Sequence, residues 1–97
     1  MFLEILTPDE EVFKGEVDYI SCPGIDGYFG VLNNHAALIS SLKAGSLKVT
    51  PANDAKHFDH AEGKMKHTLA DDNKSLVYAI NGGTIEVKNN KVIVLAE

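Results

Sequence analysis

The sequence predicts an all-β fold, an antiparallel β-sandwich of two sheets, on three observations. Apolar runs are short, and Gly, Pro or Asn punctuates them at roughly 8–12-residue spacing. Several runs alternate apolar and polar residues with the period of a half-buried strand. Outside one polar stretch, no segment has the spacing or the length of an amphipathic helix. At least seven short strands follow, in a single domain over residues 1–97.

The first strand is Phe2-Leu3-Glu4-Ile5-Leu6-Thr7, ended by Pro8, which has no N–H to continue a ladder. Val12-Phe13-Lys14 leads to Gly15, a bulge or turn position. From Glu16 to Ser21, Val17 and Tyr19 fall on one side and Asp18 and Ile20 on the other, until Pro23-Gly24 ends the segment. Tyr28-Phe29-Gly30-Val31-Leu32 is stopped by Asn33-Asn34, and Ala37 to Leu42 by Lys43-Ala44-Gly45. Leu47 and Val49 then alternate with Ser46, Lys48 and Thr50 before Pro51. Leu76-Val77-Tyr78-Ala79-Ile80 ends at Asn81-Gly82-Gly83, and Ile85 and Val87 alternate with Thr84, Glu86 and Lys88. Asn89-Asn90 fits a two-residue hairpin turn, because Asn adopts left-handed dihedrals at low cost. Lys91 to Leu95 returns as the last strand; both its faces are apolar, which predicts a strand that is central or covered on both sides.

Pro51 to Asn73 is the exception, a longer polar insertion that holds three of the four histidines. Phe58, Ala61, Met65 and Leu69 form a weak helical seam, but Gly63 inside it costs about 1 kcal/mol relative to Ala. The competing reading, an extra hairpin turning at Glu62-Gly63, agrees better with the flanking strands.

Composition removes whole classes of function. Nine basic against fourteen acidic residues leave a net charge of −5, which argues against a nucleic-acid partner. Val92-Ile93-Val94-Leu95-Ala96 is the longest purely apolar stretch, far below the ~20 residues of a transmembrane helix. Glu4 and Thr7-Pro8-Asp9-Glu10 interrupt the start before any apolar signal region forms. Cys22 is alone and cannot staple the fold internally.

Motifs for chemistry are weak. Gly24, Gly27 and Gly30 do not have dinucleotide-loop spacing, and no helix follows them to hold phosphate; turn and bulge glycines are the plainer reading. Cys22 and His35 are the available thiol–imidazole pair outside the insertion, with no third group marked to orient the base. His57, His60 and His67, with Asp59, Glu62, Asp71 and Asp72 nearby, have zinc- or nickel-compatible chemistry in loose spacing. Paired carboxylates such as Asp9-Glu10-Glu11 fall in turn-rich stretches, where they ionise normally. Residue chemistry therefore describes a non-enzymatic β module that works by surface contact, with a small histidine-rich metal-binding module as the alternative.

Four blocks in order resemble the N-terminal domain of the epsilon subunit of F-type ATP synthase, called delta in mitochondria. They are Leu6-Thr7-Pro8-Asp9 with Val12-Phe13-Lys14-Gly15-Glu16-Val17; Pro23 through Ile39, containing Phe29-Gly30-Val31-Leu32 and His35-Ala36; Leu42-Lys43-Ala44-Gly45-Ser46-Leu47; and Ala79-Ile80-Asn81-Gly82-Gly83 onward to Glu97. The resemblance covers residues 2–50 and 75–97. It departs at Ala37, where proline is usual, at Asn33-Asn34, where Pro-Gly is usual, and in the length of the insertion.

The resemblance implies a β-sandwich at the foot of the central stalk, a non-catalytic rotor subunit without a cofactor or resident metal. Its implied partners are the gamma subunit and the membrane rotor ring. Its implied location is peripheral, on the cytoplasmic face of a bacterial membrane. Gly24, Ile25, Asp26, Gly27 and Tyr28 match the loop that touches the ring in relatives; Tyr28 replaces an acidic residue found in some of them. His35, Ala37, Leu38 and Ile39 match a region near gamma. The sequence stops at Leu95-Ala96-Glu97, where a C-terminal helical pair begins in most bacterial relatives. The resemblance thus implies coupling without helical inhibition or ATP sensing.

Overall fold

A computed structural model describes residues 1–52 and 75–97. Its described residues form six strands: β1 (Phe2–Leu6), β2 (Glu11–Gly24), β3 (Gly27–Leu32), β4 (Leu38–Pro51), β5 (Leu76–Lys88) and β6 (Lys91–Ala96). They pair in the order β1-β6-β5-β4-β2-β3, and β1 also pairs with β2. The ladder therefore closes on itself, with β3 added outside on β2. Closure removes most of the unpaired strand edges that an open sheet of this size presents.

The all-β expectation holds, with fewer and longer strands than the punctuation implied. Gly15, Lys43-Ala44-Gly45 and Asn81-Gly82-Gly83 do not end strands; β2, β4 and β5 run through them as strands of 13 or 14 residues. Close approach explains Gly83. A Cβ there would lie 2.1 Å from the Leu95 carbonyl oxygen, and Gly83 has φ +151°. The missing side chain lets β5 pass close against β6 while both stay paired.

Two further details differ from simple antiparallel alternation. β1 and β6 are parallel, with Leu3 opposite Val92 and Ile5 opposite Val94. A register shift between Val17 and Tyr19 turns both Val17 and Ile20 inward, where strict alternation separates them. The Asn89-Asn90 turn is as expected: φ values of 54° and 60° join Lys88 to Lys91, as a two-residue hairpin requires.

The core lies between the layers. Leu3, Ile5, Phe13, Val17, Ile20, Val31, Leu47, Val49, Ile85, Val92 and Val94 are buried in it. β6 is central, paired with β5 on one side and β1 on the other. Its second apolar face is left uncovered. The insertion predicted over 51–73 lies outside the described residues except for Pro51 and Ala52. Val49 stands opposite Leu76, so β4 and β5 are neighbours on either side of it.

Candidate functional site

The β2–β3 hairpin carries the first candidate segment. Pro23 stands opposite Tyr28 and Gly24 opposite Gly27, leaving Ile25 and Asp26 as the turn. Gly27 has φ +133°, a conformation that side chains disfavour. A Cβ at Gly24 would meet the Gly27 carbonyl oxygen at 2.8 Å and the Phe29 ring at 2.9 Å. The two glycines thus make a tight tip that projects Ile25 and Tyr28, each 60% exposed. Tyr28 also acts structurally: its Oη accepts the Ser46 N–H at 3.0 Å.

The second segment connects β3 to β4. The His35 N–H donates to the Leu32 carbonyl at 3.1 Å and closes a turn in which Asn34 has φ 62°. An asparagine thus fills a left-handed position that glycine would otherwise hold. The Asn34 N–H donates to Asn90 Oδ1 at 2.8 Å, which ties the connector to the β5–β6 turn. The Asn33 side chain accepts from the Met1 ammonium and donates to Asp18 at 3.4 Å. His35 Nδ1 lies 2.7 Å from the Ala36 carbonyl, so this nitrogen carries the proton. His35 and Ala37 are exposed. The pleat then separates the next two residues: Leu38 packs against the core, and Ile39 points outward at 76% exposure.

Strand register places the two segments at opposite ends of the molecule. Gly24 pairs with Leu42, Leu42 with Gly83, and Gly83 with Ala96. The connector lies with the Asn89-Asn90 turn at the other end of β5 and β6.

Ile39 also belongs to a larger surface. On the outer face, Ile39 stands opposite Glu86 and Glu86 opposite Ile93; in the next row Thr84 stands opposite Leu95 and Leu95 opposite Leu6. Leu95 is 52% exposed. Shallow hollows on this face are lined by Ile39, Thr84, Glu86, Ile93 and Leu95. Charges border it: Lys91 pairs with Glu4 at 3.5 Å and lies 5.9 Å above the Phe2 ring. Exposed apolar side chains interleaved with Glu86 and Thr84 and bordered by charges have the mixed composition of a protein contact surface. Of these residues, sequence reading singled out only Ile39. The signal for the rest was the two-sided apolarity of β6, which reads equally well as burial.

Catalytic readings do not gain support. Cys22 is fully buried, and desolvation pushes its thiol up to about 12. Its register partner is Phe29, toward the hairpin tip, whereas His35 belongs to the opposite end. A thiol kept protonated and away from imidazole is not a nucleophile. Among the described residues, no three His, Cys, Asp or Glu side chains come together to hold a metal. His57, His60 and His67 lie outside the described residues.

The profile of the ATP synthase delta/epsilon chain beta-sandwich domain matches residues 1–63. ATP synthase epsilon chains are similar over nearly the whole chain. That of Maridesulfovibrio salexigens is 39% identical over 97 residues, all of this chain and 54% of the relative. That of Desulforamulus reducens is 35% identical over 98% of this chain and 57% of the relative. The chain therefore spans little more than half the length of these relatives. Among solved structures, a chain of the Tetrahymena thermophila mitochondrial ATP synthase central stalk and c-ring superposes with TM-score 0.69 at 18% identity, over 99% of this chain and 62% of that one. A chain of the Euglena gracilis mitochondrial ATP synthase superposes with TM-score 0.71 at 24% identity, over 97% and 48%. These two likenesses concern the fold.

Proposed function

This chain belongs to the ATP synthase delta/epsilon chain family, and from that membership we propose that it is a non-catalytic central-stalk element of an F-type ATP synthase. In this reading it couples the gamma subunit to the membrane rotor ring and works as a peripheral part on the cytoplasmic face. The observation that carries it is the outer face of β4, β5 and β6, where Ile39 and Leu95 stand exposed beside Glu86 and Thr84. Large exposed apolar side chains set among polar ones suit a protein contact.

The geometry supports two partners. The tip at Gly24, Ile25, Asp26, Gly27 and Tyr28 is the proposed ring contact. His35, Ala37, Leu38 and Ile39, extended by Ile93 and Leu95, form the proposed gamma contact. In that second segment Leu38 sets the strand from inside, and the exposed residues do the touching. A coupling piece needs separated contacts and a body that does not shear between them. Here β2, β4 and β5 are long strands in one closed ladder, so the body cannot shear without breaking strand pairing.

Reconstitution tests the reading. A complete synthase reconstituted with this chain in its stalk should couple ion flow to ATP synthesis, and omission of the chain should uncouple it. Equal coupling with and without the chain would defeat the proposal.

A further inference from the structure

The β2–β3 tip has an unusual mechanical problem. Among the described strands β3 pairs only with β2, and a hairpin held on one side is marginal by itself. The support from β4 also fails just there. The β2–β4 register runs through Ser21 opposite Lys48 and resumes at Gly24 opposite Leu42, with an irregularity between. Two residues of β2, Cys22 and Pro23, thus face five of β4, Lys43 to Leu47. Pro23 has no N–H to donate, so the interruption follows from its chemistry. Left so, the tip would swing about Pro23.

Two residues close this gap. Tyr28 reaches from β3 to β4, and its Oη accepts the Ser46 N–H at 3.0 Å. Gly45 makes room for it: a Cβ there would lie 2.7 Å from Oη and 2.7 Å from the Pro23 Cβ. Any other residue at position 45 must push the hydroxyl or the proline away. The Tyr28 side chain stays 60% exposed, so this bond ties the tip to the body without burying it.

We propose that Tyr28 and Gly45 are positioning residues that lock the β2–β3 tip to the bend of β4 and so fix the direction in which Ile25 and Asp26 meet the rotor partner. This rests on the reading of the tip as a rotor contact. The lock stiffens the tip against β4, so force on the tip passes into the sandwich.

Hydrogen exchange on the full chain, paired with dissociation from the purified rotor ring of its own synthase, tests the proposal. Tyr28→Phe removes the oxygen and keeps the ring. Exchange at the Ser46 amide should rise about fivefold, as expected for one ordinary hydrogen bond, with the thermal midpoint nearly unchanged. Dissociation from the rotor ring should quicken by a similar factor. Gly45→Ala removes no tip side chain but displaces the Tyr28 hydroxyl or Pro23, and should quicken it further, an effect that the deletion of a contact atom does not explain. Unchanged Ser46 exchange in Tyr28→Phe would overturn the lock. Unchanged dissociation in both variants would overturn the positioning role. If the wild-type chain does not bind the ring, the rotor reading itself fails, and Ser46 exchange still decides the lock.

Discussion

Cys22 shows how burial alone decides a residue's chemistry. Its thiol is held to about 12 by desolvation, against 9.0 for an ordinary cysteine. Native protein should therefore resist thiol reagents at pH 8 and react only as it unfolds; rapid labelling of the native chain would contradict this. The same shift has a linkage consequence. The folded pKa is raised, so Cys22 contributes stability that is whole below pH 9 and lost as pH rises from about 9 toward 12, because the unfolded chain ionises first. Urea unfolding of Cys22→Ala should show a shallower decline over this window than wild type. Gly83 is decided by space. With φ +151° and the Leu95 oxygen 2.1 Å from a would-be Cβ, Gly83→Ala should cost about 3 kcal/mol or more, read from the urea midpoint. The sequence marked Gly83 only as part of an Asn81-Gly82-Gly83 interruption. It did not show the carbonyl that requires glycine there.

Elements account for the contact surface. Ile39 on β4 and Leu95 on β6 are far apart in sequence and share one outer face through β5. Replacing both with threonine keeps strand propensity and removes apolar area. Binding to gamma should weaken at least about tenfold, as expected for a buried interface centre, with the thermal midpoint almost unchanged. Calorimetric titration checks the first expectation and a melting curve the second. Loss of folding would mean that the face is structural. β6 explains why this surface was hard to read. Val92, Val94 and Ala96 face the core while Ile93 and Leu95 face out, and an apolar residue in a strand does not declare which of its two faces meets solvent. The tip and the connector were easier, because their glycines and asparagines mark turns wherever the flanking strands pack.

For the whole molecule, closure matters most. β6 pairs with β1 and β5 together, and no other described strand pairs with both. A chain ending at Asn90 would lose Val92, Val94 and Ala96 from the core and leave two edges open. It should fail to fold, giving a poorly dispersed amide spectrum; a native-like spectrum would show that closure is dispensable. The same connectivity suits the proposed coupling role, since the two proposed contact segments are joined through β2, β4 and β5.

By itself the sequence determined the all-β class and the Asn89-Asn90 hairpin. Each of these depends on local period, turn chemistry or composition, which neighbouring residues carry. Its four ordered blocks also carried the family resemblance. Only the tertiary structure decided that Gly15, Gly45 and Gly82-Gly83 lie inside long strands. Only it paired β1 with β6 in parallel, set Ile39 beside Leu95, and brought the Tyr28 hydroxyl to the Ser46 N–H. These features depend on which distant strands meet and in what register. A glycine that ends a strand and a glycine inside one look the same until the partner backbone arrives.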